Sequence, residues 1–415
     1  MGTDQYLLLH RKKTSSFILT ILVTLALAVS CKSVIERQQD VRPRILRDVP
    51  AQNLAFRLEP DISPPADLKS DDTGDKFAAV QNDFNTPKRQ DDALIRTVVS
   101  PDGRRVLAVY GTSDEPSSSF RIDLYNSDGQ FLRNIIPPAL SCVFPESVTW
   151  SPDGSLINFI AHKRTVPAPS PTPLEDALPD VKASPVPLPS VAPAFAPVAS
   201  FNTEQIYVCN RDGYDLKPLT SREGLIYFYF AWAPDGHALV ALACKEDEWN
   251  VRERQNKLPA GRPRLIEPDG KERLLDDELT DAQPVWSPDA SKVATAFDTD
   301  VAIYDAASAK PTQARLPLAD QLLSASVVYE QHTASKKTEA PKNSNSKNAA
   351  TPSPIPTPAG PTTPASFNPI VRIEWPSPER LYFQTAFVRI MPSEAINTFQ
   401  RWHLLNLSAQ AAVLK

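Results

Sequence analysis

No CxxC pair, no HExxH, no Gly-x-Ser-x-Gly, no phosphate-cradling glycine loop and no dinucleotide fingerprint occurs anywhere in this sequence. Each absence removes a class of chemistry. Without paired cysteines a thiol redox or zinc role has no support. Without the nucleophile elbow, or any stretch that could hold a hydrolase domain, the serine peptidases that carry similar repeats are a poor match. Nucleotide-binding glycine loops are missing as well. The histidines His10, His162, His237, His332 and His403 have no metal-ligand spacing, and Asp298-Thr299-Asp300 reads as an ordinary turn rather than a calcium loop. These gaps ground the expectation of a chain with no catalytic residue, no metal and no cofactor.

Positive charge is also lacking. The chain carries a net −5, and without Met1–Ser30, which hold Arg11, Lys12, Lys13 and Asp4, about −7 remains. A mildly acidic surface argues against a nucleic-acid partner, for which a basic stripe is needed. Cysteine is scarce too. Apart from Cys31 there are Cys142, Cys209 and Cys244, enough for one disulfide at most. Cys209 and Cys244 fall in apolar strand-like runs, which favours buried thiols over a bridge.

What is present is a recurring phrase. Ser-Pro-Asp-Gly stands at Ser100–Gly103 and Ser151–Gly154, as Ala233-Pro234-Asp235-Gly236, as Ser287-Pro288-Asp289-Ala290, and worn down at Pro376-Ser377-Pro378-Glu379. Trp150, Trp232, Trp286 and Trp375 precede the last four copies. Proline presets the first corner of a turn, Asp tolerates the second and Gly the left-handed exit, so Asp102, Gly103, Asp153, Gly154, Asp235, Gly236 and Asp289 are expected as structural turn residues. Short β-branched and aromatic runs flank each copy, as in Val106–Tyr110 and Leu156–Ile160. A second turn follows at Ser127-Asp128-Gly129, Arg211-Asp212-Gly213 and Pro268-Asp269-Gly270. Each unit therefore reads as four strands, a to d.

The copies begin at 100, 151, 233 and 287, and Trp375 follows Trp286 by 89 residues. The two long steps contain proline-rich insertions at about 166–199 and 333–366, and removing them restores a period of about 45–50 residues, that of a propeller blade. No single repeat can bury its own apolar face, so the units are expected to close in a ring.

The Trp-Ser-Pro-Asp-Gly turn, followed by an apolar strand and by Ile206-Tyr207-Val208 with Asp212-Gly213, resembles the WD-repeat-like β-propeller units of the TolB type. The resemblance covers roughly residues 93–415. It implies an all-β fold of five four-stranded blades, with a sixth left open for Leu54–Leu58 and other unassigned segments. Residues 51–92 are an N-terminal extension able to contribute a strand.

At the other end, His10-Arg11-Lys12-Lys13, the apolar Phe17–Val29 and Ala28-Val29-Ser30-Cys31 together resemble a bacterial lipoprotein signal. That implies a signal peptide over 1–30, a lipid on Cys31, a polar tether over 31–50 and a membrane as partner. Lys32, in place of the Asp that retains some lipoproteins at the inner membrane, leans toward the outer membrane of a bacterial envelope.

Both insertions are expected to be extended and disordered, because segments of this composition cannot offset their ordering entropy by burial. The run Lys245–Lys257 is either a solvated charged loop or an interface, with Trp249, Arg252 and Arg254 as the candidate interaction residues. The expectation is thus a non-enzymatic, lipid-anchored platform that binds an envelope protein or peptide. The alternatives are a glycan or small-molecule sensor, or an enzyme acting on glycans from the central channel.

Overall fold

Every intact copy of the phrase turns the chain in the same way. In the computed structural model, which describes residues 45–65, 76–113, 118–165, 198–339, 366–391 and 394–409, Gly103, Gly154, Gly236 and Ala290 donate their N–H to the carbonyls of Ser100, Ser151, Ala233 and Ser287 at 2.8–2.9 Å. The three glycines sit at φ 69 to 74°, and Ala290 accepts the same left-handed corner at 58° without being glycine. Aspartate completes the turn. The hydroxyls of Ser100, Ser151 and Ser287 donate to Asp102, Asp153 and Asp289 at 2.7, 2.5 and 2.7 Å. Each carboxylate then accepts the N–H two residues on, at Arg104, Ser155 and Ser291. Ala233 has no hydroxyl to give, so Asp235 keeps only the His237 N–H.

These turns join the first two strands of four antiparallel sheets. Blade one is Asp92–Val99, Arg105–Thr112, Arg121–Asn126 and Phe131–Asn134; blade two is Thr149–Trp150, Leu156–Lys163, Gln205–Asn210 and Lys217–Pro218. Blade three is Leu225–Trp232, Leu239–Lys245, Arg262–Ile266 and Glu272–Leu274; blade four is Val285–Trp286, Lys292–Phe297, Asp300–Asp305 and Gln313–Pro317. The fifth has Ile370–Ser377, Arg380–Met391 and Glu394–Ala409, and its fourth strand is Leu54–Ile62, from the other end of the chain. The protein is an all-β propeller of five blades. No sixth blade is built from Leu54–Leu58, because those residues are already paired to Leu405–Ala409.

Apolar side chains meet between successive sheets. Leu107, Val109 and Ile122 of blade one pack on Ile157, Phe159 and Tyr207 of blade two. Comparable clusters join blades two and three, three and four, and four and five. The other face of blade one differs. There Val106, Ala108, Tyr110 and Tyr125 are covered by Val80 and Phe84 of the short helix Ala78–Phe84. A helix thus takes the place that another sheet holds elsewhere.

Two boundaries move. Leu46 and Val49 are buried, and Ala51 donates its N–H to Asp305, so residues 46–50, expected within the polar tether, belong to the folded unit. Residues 333–339, expected within the second insertion, continue the helix Ala319–Glu339. Cys31, the signal at 1–30 and residues 166–197 and 340–365 lie outside the described residues. Leu46–Lys415 cluster as one compact unit.

Candidate channel site

The first strands of neighbouring blades come within hydrogen-bond reach of one another. Trp150 Nε1 donates to the Val98 carbonyl at 3.1 Å and Trp286 Nε1 to that of Ala231 at 3.0 Å. A second set of bonds runs in the opposite sense. Arg96 Nη2 donates to the Val148 carbonyl at 3.0 Å, and the Tyr229 hydroxyl to that of Pro284 at 3.3 Å. Arg96 and Tyr229 each follow a β-bulge in the first strand, centred on Ile95 and Phe228. The extra residue re-aims the side chain that follows it.

Carboxylates accompany both. Burial lowers the pKa of the Arg96 guanidinium, and the nearby Glu146 opposes that effect. Burial raises the Tyr229 phenol, with the Glu374 charge adding to it. Glu374 lies on the first strand of blade five and Glu146 in the connection that enters blade two. Arg96 with Glu146 and Tyr229 with Glu374 thus form two polar pairs on or beside the first strands.

Aromatic rings border them. Trp249 packs against Phe144 and Phe228 with ring centroids 5.9 and 5.7 Å apart. Gly261 is required beneath this group, since a Cβ there would meet Phe228 Cε1 at 2.8 Å. The charged run expected as a loop is in part a helix, Glu246–Arg254, with acidic residues in its first turn and Arg252 and Arg254 in its last, as the helix dipole favours. Glu248 accepts the Lys245 N–H and forms a two-pronged pair with Arg262. The Arg262 bonds hold the Glu248 carboxyl below its usual range.

The expected interaction residues occupy distinct places. Trp249 is half-buried against the two phenylalanines, Arg252 is engaged by Asp281 at 2.9 Å and by the Leu258 carbonyl, and Arg254 is exposed. Asp102, Asp153, Asp235 and Asp289 sit at the opposite end of the blades. There Asp102 pairs with Arg211, and Arg105 with Asp212, across blades one and two. Cys142, Cys209 and Cys244 are buried, Cys209 and Cys244 as free thiols, and burial pushes those two thiols up to about 12. Among the described residues no group of three or more His, Cys, Asp or Glu could hold a metal. Arg96, Glu146, Tyr229 and Glu374 carry no linear motif, and the only trace of them in the sequence is that three lie on strands leading into the repeated turns.

No family model matches the sequence, and no curated protein matches it. Solved structures similar to it include an oligogalacturonate lyase in complex with manganese, at 13% identity over 75% of this chain and 64% of that one, with a TM-score of 0.34. A prolyl endopeptidase structure aligns at 10% identity over 91% of this chain and 46% of its own, with a TM-score of 0.38. Prolyl oligopeptidase B from Galerina marginata, bound to a 25mer macrocyclization substrate, aligns at 11% over 89% and 42%, with a TM-score of 0.40. This chain spans less than two thirds of each of those chains.

The expectation of a non-enzymatic binding platform is corrected at this point, together with the expectation that the chain is no enzyme. Solved chains of this general kind bear enzyme names. The physical reason is that a propeller can gather its reactive groups from separated strands, so missing linear motifs do not exclude catalysis. The likeness itself extends to the fold alone.

Proposed function

We propose that this protein acts on glycans at the mouth of its central channel. The observation that carries the reading is the pairing of Arg96 with Glu146 and of Tyr229 with Glu374 on or beside the first strands, together with the packed rings of Phe144, Phe228 and Trp249, of which Phe144 lies two residues before Glu146 and Phe228 one before Tyr229. Apolar rings with a few converging polar groups are the usual lining of a ligand site. Two carboxylates are what general acid and base work on a glycosidic bond requires. In this reading Glu146 and Glu374 are the acid–base pair, Arg96 and Tyr229 bind and orient, and the aromatic group borders the sugar.

The same reading places the propeller, built of TolB-type repeats, in a bacterial envelope on a lipid at Cys31. The order of a basic run, an apolar run, small residues and cysteine supports it. A lipid-modified Cys31 would incorporate labelled fatty acid, and Cys31→Ala would not.

The channel is tested by incubating the protein with a panel of neutral and acidic polysaccharides and following new reducing ends and unsaturated products. Glu374→Gln and Glu146→Gln should each lower turnover at least about 100-fold, the scale of a lost general acid or base, with the melting temperature unchanged. Absence of turnover across the panel, or full activity in both variants, would overturn the proposal. Binding without turnover would leave the sensor in its place.

A further inference from the structure

The strand that completes blade five is held at its far end by a small buried network. Leu54–Ile62 runs in regular register from Leu54 opposite Ala409 to Glu59 opposite Leu404, and then Pro60 and Asp61 both stand opposite His403. At this bulge Asp61 adopts φ 56°. A non-glycine residue stays in that region only where its contacts over-determine it.

The contacts are specific. Arg401, 5% exposed, grips the Asp61 carboxylate with Nε and Nη2, the latter at 2.6 Å. Its Nη1 donates to Ser326 of the helix Ala319–Glu339 at 2.8 Å, and Ser326 in turn bonds Asn368. His403 is wholly buried and stacks on Phe383 at 5.1 Å. Its Nδ1 accepts the Asp61 backbone N–H at 3.4 Å, and its Nε2 meets the Thr385 hydroxyl at 2.9 Å. An accepting Nδ1 puts the single ring proton on Nε2, donated to Thr385.

We infer that His403 is an acid-operated latch on the edge strand of blade five, and that its protonation releases Asp61 and with it Leu54–Ile62. A second ring proton turns Nδ1 into a donor facing the Asp61 N–H, which is also a donor. It also sets a cation beside Arg401. The charged groups acting on the ring are Arg401 from its own strand and Asp61 from the edge strand, while the neighbouring strand offers only Thr385 and Phe383. The helix contributes Ser326 and Tyr329 through Arg401, and Asp320 lines the cavity of about 470 Å³ between helix and strand that Asp61 also faces.

Burial first, and Arg401 second, push the His403 pKa down to about 4, with Asp61 opposing. The unfolded ring titrates near 6.5. The neutral ring therefore contributes its full stability above about pH 6.5, and that contribution drains away as pH falls toward 4. If the strand alone opens to admit the proton, its opening equilibrium rises about 30-fold between pH 7.5 and pH 5.

Hydrogen exchange on the full chain, corrected for intrinsic rates, tests this at pH 7.5, 6 and 5. Protection of Leu54–Ile62 should fall about 30-fold while that of Asp300–Asp305 holds. In His403→Gln the step should vanish; in Asp61→Asn, which keeps the backbone N–H, it should persist. Unchanged protection of Leu54–Ile62 in the wild type overturns the inference, as does an equal fall in all five blades. So does a step that survives His403→Gln. Should that variant fail to fold, the wild-type comparison of the two segments decides.

Discussion

The indole N–H of Trp286 is bonded at 3.0 Å to the carbonyl of Ala231, two residues before the turn of the preceding blade. Trp150 repeats the arrangement on Val98. In blades two and four the tryptophan of the repeated phrase is thus an inter-blade bolt between first strands, whereas Trp375 donates within its own turn to the Pro378 carbonyl. The Nε1 of Trp232, in the same position of blade three, is buried without a partner.

That difference is measurable. Trp286→Phe and Trp232→Phe lose comparable ring area, but only the first breaks a hydrogen bond, so it should cost about 1 kcal/mol more. Denaturant midpoints would decide, and equal losses would remove the bolt from the account.

Blade three also lacks the turn serine. In the other copies the serine hydroxyl donates to Asp and accepts an N–H five residues from the serine, at Arg105, Leu156 and Lys292. Ala233→Ser should install both bonds and raise stability by about 0.5–1 kcal/mol. A lower melting temperature in the variant would show that the buried site cannot take the hydroxyl.

The turn also confers a pH dependence. The Ser151 hydroxyl, and then the Ser155 N–H and hydroxyl, hold the Asp153 carboxyl below its usual range. A depressed carboxylate contributes stability above the unfolded value of about 3.9, and loses it as pH falls through the folded one. Ser151→Ala should therefore be destabilising at pH 7 and nearly neutral at pH 2, by less than about 1 kcal/mol because Asp153 is exposed and screened. Melts of both proteins across that range would check it.

Lys292 and Asp305 form a buried pair at 2.8 Å, with both side chains under 5% exposed. Burial pushes the Asp305 carboxyl up, yet Lys292 and Thr312 hold it below its usual range, and the Ala51 N–H rests on it. Lys292→Met leaves that carboxylate without its cation and should cost about 3–5 kcal/mol at pH 7. Part of the loss should return at pH 4, where the orphaned group takes a proton. A pH-independent loss would assign the cost to packing instead.

Much of the ring was legible beforehand. Pro, Asp and Gly in fixed order specify a turn through their own backbone preferences, and the spacing of the turns sets the blade period. The partner of Leu54–Ile62 was not legible, since the strand is short and its pairing lies 340 residues away along the chain at Asp61 and Arg401. Nor was the helix Glu246–Arg254 read from its charges, although the acidic start and basic end were visible. Trp249 stood out as a lone aromatic, while Phe144 and Phe228, which it meets, gave no local sign.

The sequence by itself determined the turns, the alternation of apolar strands and hence a β-propeller, because these follow from local backbone preference and from the need of each repeat to bury a face. Only the tertiary structure decided that a strand from the beginning of the chain completes the fifth blade, that a helix covers blade one, and that Arg96 lies near Glu146 and Tyr229 near Glu374. Those depend on which distant residues meet when the sheets pack, and on bulges that re-aim single side chains. No spacing along the chain encodes either.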